Sequence, residues 1–212
     1  MPRPQPNLQQ SLRRSPDPEP LARRAGFRVI AGVDEAGRGP WAGPVVSAAV
    51  ILRTARLPVR IDDSKKLTPG QRERACAVIL ESADVGVGIV SAEVIDRVNI
   101  LQATLQTMQQ AVAELPRTPD LVLVDGVITP PLSVPCWPVV DGDARSYVIS
   151  CASIVAKVVR DRLMVFYHRL YPSYQFVQHK GYGTLEHAQL LRQWGPSFLH
   201  RFSFAPVADA VV

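Results

Sequence analysis

Cysteine is scarce in this chain of 212 residues: there are three, Cys76, Cys136 and Cys151. The number is odd, and no two stand at zinc-ligand or redox-motif spacing. That excludes a disulfide-stapled scaffold or a structural zinc knot, and leaves small buried thiols in a reducing compartment. Histidine is nearly as rare, so no histidine set competes for metal chemistry. Long apolar runs are missing too. None approaches the ~18 residues that a membrane span needs. The early arginines precede no continuous apolar stretch, so no secretory leader is expected. The expectation is a cytoplasmic protein without membrane contact.

What is present is an ordinary globular composition, 47% hydrophobic and 20% charged. Such a chain can bury a sizeable core. The net charge of +5 favours a polyanionic partner, though weakly on its own. Residues 1–20 stand apart, with proline at 2, 4, 6, 16, 18 and 20 and arginine at 3, 13 and 14. They read as a disordered Pro/Arg-rich tail. Residues 21–212 read as a single domain, with no internal repeat.

Apolar, β-branched Arg28–Asp34 and Pro44–Leu52 predict two strands joined by a short glycine-rich turn, hence an antiparallel pair. Thr68-Pro69 opens a helix to about Ser82, threonine as N-cap and proline at the first helical position. Val85–Ser91 predicts a third strand. Helices follow over Ala92–Arg97 and from Asn99 to Leu115. Leu121–Val124 is short and wholly apolar, which fits a buried parallel strand. Trp137–Val140 is another strand. Ser146–Leu170 reads as a long helix and Thr184–Trp194 as a further one, closed by Gly195-Pro196. The order implies an α/β fold with a mixed sheet.

Acids sit at the ends of these elements. Asp34 and Glu35 lie where the first strand meets the turn, and Asp125 directly follows LVLV. Neighbouring strand residues face opposite ways, so Asp34 and Glu35 share one site only if the pleat breaks there. Asp141 and Asp143 both precede the long helix, and spacing does not choose between them. Ligands of open α/β sheets bind at strand ends. Clustered carboxylates repel one another unless a cation neutralises them, and hard oxygen donors select Mg²⁺ or Mn²⁺. Two such ions ~4 Å apart serve phosphodiester hydrolysis. The plainer alternative is solvated turn residues, above all for Asp125 in its Asp-Gly pair.

Gly37-Arg38-Gly39-Pro40-Trp41-Ala42 formally matches the dinucleotide pattern G-x-G-x-x-A, which would make the protein a nicotinamide-linked oxidoreductase. That pattern needs a helix at the loop. Here the loop contains Pro40 and Pro44 and runs into a strand. The glycines instead suit close backbone approach to a ligand.

The stretch IAGVDEAGRGPWAGPVV resembles the signature of type 2 ribonuclease H, the ribonuclease HII family. The likeness continues in order through Asp63-Ser64-Lys65-Lys66-Leu67, LVLVDG, Asp143-Ala144-Arg145-Ser146, ASIVAKVVRDR, HKGYGTLEH and HRFSFAPV. It covers roughly residues 21–207. The resemblance implies an RNase H-like fold, a central mixed β-sheet flanked by helices, with a helical C-terminal region. It implies cleavage of the RNA strand of RNA–DNA hybrids and incision 5′ of single ribonucleotides in duplex DNA, leaving 3′-hydroxyl and 5′-phosphate ends, as in ribonucleotide excision repair. It assigns the catalytic and metal-binding acids to Asp34, Glu35, Asp125 and Asp143, the last because it follows glycine and precedes a small residue and a base. Gly37, Arg38 and Gly39 resemble a loop that senses the ribose 2′-hydroxyl. Tyr182 resembles a tyrosine that stacks on the following sugar. Ser64, Lys65, Ser146, Lys157 and Lys180 are further candidates for substrate contact. Lys66, Arg160 and Arg201 are weaker ones, and His179 and His187 are expected near substrate without a metal role. Trp41 departs from the aliphatic residue common at its position. The extra N-terminal domain of ribonuclease HIII is absent from the pattern. A monomer is expected, and the sequence leaves contact with a replication clamp open. A hybrid-binding module without catalysis is the non-enzymatic alternative, and the intact acids argue against it.

Overall fold

The computed structural model describes residues 10, 11, 13 and 15–210. Most of the expected tail lies outside the described residues. Within them Pro18–Arg24 form a helix, α1, so the expected boundary at residue 20 falls inside an element. Its Glu19 carboxylate accepts from Ser146 Oγ at 3.0 Å and from the Val148 amide at 2.9 Å, which fastens α1 to the main helix.

Five strands make one sheet in the order β3-β2-β1-β4-β5. They are β1 (Ile30–Ala36), β2 (Val45–Leu52), β3 (Ala83–Val90), β4 (Leu121–Asp125) and β5 (Cys136–Val139). β1, β2 and β3 pair antiparallel. β4 joins β1 in parallel, and β5 joins β4 the same way. The sheet is mixed, as the strand patterns predicted, and β4 is buried from Leu121 to Val124. A run without alternation fits because both faces are covered.

The helices are α2 (Pro69–Ser82), α3 (Ala92–Val98), α4 (Ile100–Ala113), α5 (Gly142–Arg145), α6 (Tyr147–Leu170), α7 (Phe176–His179), α8 (Leu185–Trp194) and α9 (Ala205–Ala208). Thr68 caps α2 in a full capping box with Gln71, satisfying two orphan amide donors. Strand alternation divides the core. Ile30, Ala48, Leu121 and Leu123 face α2 and α6. Ala31, Val33, Ala49, Val122 and Val124 face α4 through Met108 and Ala111. At Gly32 the start of α6 comes so close that a Cβ would lie 2.4 Å from the Val148 carbonyl carbon. Only glycine admits that approach, and it brings the acid-bearing end of β1 beneath α6. Among the described residues no helix is long and apolar enough to cross a membrane.

Candidate active site

The parallel register of β1 and β4 runs from Ile30↔Leu121 to Val33↔Val124. The next residues along are Asp34 and Asp125. Partners in a parallel ladder point the same way, so these two carboxylates stand side by side on the α6 face of the sheet. Glu35 alternates to the other face. The break in the pleat set as the condition for a shared site is absent, because pairing continues to Ala36↔Val46 and ends only at Gly37, whose φ is +98°. Glu35 still borders the same cavity at the sheet's end, where Arg38 Nη1 lies 3.4 Å from its Oε1.

The fourth acid arrives on α5. The Gly142 amide donates to Asp125 Oδ1 at 2.6 Å, tying the turn that carries Asp143 to the end of β4. Lys65 Nζ pairs with Asp143 Oδ2 at 3.1 Å. Asp141 adopts a left-handed conformation at φ 52° and is exposed, so of the two candidates Asp143 is the one that faces the other acids.

Asp34, Glu35, Asp125 and Asp143 border one cavity of about 240 Å³, together with Gly37, Arg38, Gly39, Ser64, Lys65, Lys157 and Tyr182. Ser153 of α6 also lines it, a residue the sequence reading missed. Its hydroxyl lies 3.0 Å from Ser64 Oγ and hydrogen-bonds Asp34. The available signal was a polar stripe, Ser146, Ser150 and Ser153, on an otherwise apolar helix face. Ser146 itself is not brought to the cavity: it is buried, caps α6 and binds Glu19. Lys180 lies in an adjoining cavity of about 640 Å³ with Arg72, Lys157, Arg162 and Tyr182.

Electrostatics single out the acids. Burial, then the charges of Glu35 and Asp125, raise the Asp34 carboxyl well above its ordinary value. Burial chiefly raises Glu35, against the opposing pull of Arg38. Burial and the neighbouring Asp143 raise Asp125. Among the described residues no three acids enclose a common point at ligating distance. Each is held by a donor of the chain: the Glu35 amide on Asp34 at 2.7 Å, Arg38 on Glu35, Gly142 on Asp125 and Lys65 on Asp143. The donor set is nevertheless all oxygen and its charges crowd one cavity, which suits a hard divalent cation. Thiol chemistry is disfavoured, since burial pushes Cys136 and Cys151 up to about 12.

Tyr182 is 42% exposed, not a core tyrosine, with Lys157 Nζ 5.6 Å from its ring centroid. Arg160 and Arg201 are fully buried and do not form a phosphate-facing surface. His187 is also fully buried. Its Nδ1 meets the Tyr182 carbonyl at 2.9 Å and its Nε2 meets His200 Nε2 at 3.1 Å, so it presents nothing to a ligand.

The ribonuclease HII family profile matches residues 31–207. Ribonuclease HII of Chlamydia muridarum is 52% identical over 195 residues, covering 91% of this chain and 89% of its own length. Ribonuclease HII of Geobacter sulfurreducens is 50% identical over 194 residues, covering 91% and 89%. The crystal structure of ribonuclease H2 from Pyrococcus horikoshii superposes with a TM-score of 0.73 at 27% identity, covering 86% of this chain and 97% of that one.

Proposed function

The chain belongs to the ribonuclease HII family, and from that premise we propose that it cuts the RNA strand of RNA–DNA hybrids and incises duplex DNA 5′ of single embedded ribonucleotides. It is a ribonuclease H, an endonuclease acting on nucleic acid. The observation that carries the finer reading is the meeting of four carboxylates with the glycine turn and Tyr182 around one cavity.

Asp34, Glu35, Asp125 and Asp143 would hold one or two Mg²⁺ or Mn²⁺ ions. Bound there, such ions neutralise the acids, acidify water and stabilise the departing 3′ oxygen, which gives 3′-hydroxyl and 5′-phosphate ends. The chain's own groups do the rest. Backbone groups of Gly37, Arg38 and Gly39 meet the ribose 2′-hydroxyl, the group that separates RNA from DNA. The exposed Tyr182 ring packs on the next sugar and tests that it is deoxy. Lys65 and Lys157 offer charge to phosphate, and Ser64 works through Ser153 to orient Asp34. The protein works as a monomer in the cytoplasm.

The test is a labelled DNA duplex with one central ribonucleotide, incubated with Mg²⁺ or Mn²⁺ and resolved to the nucleotide. A single nick on the 5′ side of the ribonucleotide is expected. Nicking 3′ of it, or equal cutting of an all-DNA duplex, contradicts the reading.

A further inference from the structure

Two arginines with no exposed surface grip the glycine turn from below. Arg201 donates Nη1–H to the Arg38 carbonyl at 2.9 Å, Nη2–H to Gly37 at 2.6 Å, and Nε–H and Nη2–H to Gly43 at 3.1 and 2.9 Å. Arg160 of α6 donates to the carbonyls of Pro44 at 3.0 Å, Ala42 at 3.1 Å and Lys180 at 3.1 Å. A Cβ at Gly37 would lie 2.1 Å from Arg160 Nε. Two amide bonds complete the junction: Trp41 N–H to the Gly181 carbonyl and Arg201 N–H to the Trp41 carbonyl, each 2.8 Å.

Among the described residues neither guanidinium has a carboxylate at ion-pair distance. The acids that act on them, Asp161 and Asp96, do so from further away. A buried charge without a paired partner is costly, and an apolar core would hold a turn at less expense. What the charges reach is the carbonyl end of the peptide groups 37–38 and 38–39. The N–H groups of those peptides belong to Arg38 and Gly39, which border the acid cavity and have no acceptor among the described residues. A cation on the carbonyl oxygen polarises the whole amide and strengthens its N–H as a donor. On the other side Arg160 holds the Lys180 carbonyl, two residues before Tyr182, and stands 5.7 Å from that ring's centroid.

We propose that Arg201 and Arg160 are positioning residues that join the glycine turn and the Tyr182 turn into one rigid, electropositive receptor, and that they thereby set the discrimination between ribose and deoxyribose. The proposal rests on the substrate reading above. It gives the buried charges a role through the Arg38 and Gly39 amides, which border the cavity that neither arginine lines.

The test is equilibrium binding by anisotropy, with Ca²⁺ in place of the catalytic ion, of two duplexes that differ by one 2′-hydroxyl. Wild type and Arg201→Lys are compared, with thermal denaturation alongside. Lysine keeps the charge but has no fork to span three carbonyls. The ribonucleotide preference should fall roughly tenfold, about the worth of one charge-assisted hydrogen bond, while affinity for all-DNA duplex stays near wild type and unfolding remains a single cooperative transition. A lowered thermal transition, or weaker binding of both duplexes, with the ribonucleotide preference intact would make Arg201 a core strut and overturn the proposal. If Arg201→Lys does not fold, Arg160→Lys carries the same expectation, and failure of both to fold also overturns it. A wild-type protein with no preference would instead bring down the substrate reading, and this inference with it.

Discussion

At the scale of single residues the site is built on a destabilised acid. Asp34 is more readily protonated in the folded chain than in the unfolded one. A group of that kind stabilises the fold fully below its unfolded value, near 3.8, and that contribution is lost as pH rises through the folded value. At pH 8 with a chelator the wild type carries more of that penalty than at low pH, with no ion to offset it. Asp34→Asn removes the charge at nearly constant volume, so its Tm should be several degrees higher under those conditions. Millimolar Mg²⁺ should raise the Tm of the wild type and leave that of the variant almost unmoved. Equal responses would mean that Asp34 does not contact the ion. Asp34 and Glu35 stood out in the sequence as acids at the end of an apolar run, whereas Asp125 in its Asp-Gly pair read first as a solvated turn residue and joined them only through the family resemblance. Asp143 could not be separated from Asp141 by spacing, since the left-handed turn at Asp141 leaves no pattern. Ser153 was hidden by its surroundings, and Arg160 and Arg201 read as weaker candidates for substrate contact because charged residues are seldom fully buried.

At the scale of elements, the sense of two pairings followed from local pattern, whereas the strand order β3-β2-β1-β4-β5 came only with the structure. The short glycine turn gave the β1–β2 antiparallel pair, and an unalternating LVLV gave a buried parallel β4. Element ends shifted by a residue or two, most consequentially for β1, which continues past Asp34 to Ala36. The C-terminal elements were least legible, because what joins them is a set of long-range side-chain contacts. His187 donates Nδ1–H to the Tyr182 carbonyl, so its Nε2 accepts from His200 Nε2–H, and His200 Nδ1 accepts from the Ser197 amide at 2.9 Å. His179 stacks on His187 at 4.3 Å. This arrangement needs both His187 and His200 neutral. Burial lowers each from 6.5 to about 4. For a histidine lowered in this way the unfolded chain binds protons first, so stability is full above pH 6.5 and declines as pH falls toward 4. Denaturant unfolding followed between those values should lose a few kcal/mol, as two such shifts imply at about 1.4 kcal/mol per unit less partial compensation. His200→Gln should flatten that slope although it lowers stability at pH 7.5. An unchanged slope would assign the acid sensitivity elsewhere.

At the scale of the whole molecule, the sheet and α6 bring residues far apart in sequence to one edge of the fold. Asp34 and Asp125 come from neighbouring parallel strands, Asp143 from the turn bonded to β4, Lys65 from the segment before α2, and Tyr182 from the C-terminal region that Arg160 and Arg201 bind to the glycine turn. The net charge of +5 supports a polyanionic substrate without specifying it, and the proposed specificity rests on that one edge. The most direct measurement is Mg²⁺-dependent cleavage of a duplex with one embedded ribonucleotide by Asp34→Asn, Glu35→Gln, Asp125→Asn and Asp143→Asn, each checked for folding and duplex affinity. Each variant is expected to bind the duplex and to lose at least about two orders of magnitude in turnover, since in the proposed mechanism the four acids would act as a unit around the ions. Wild-type turnover by any one of the four, correctly folded, would contradict the shared site.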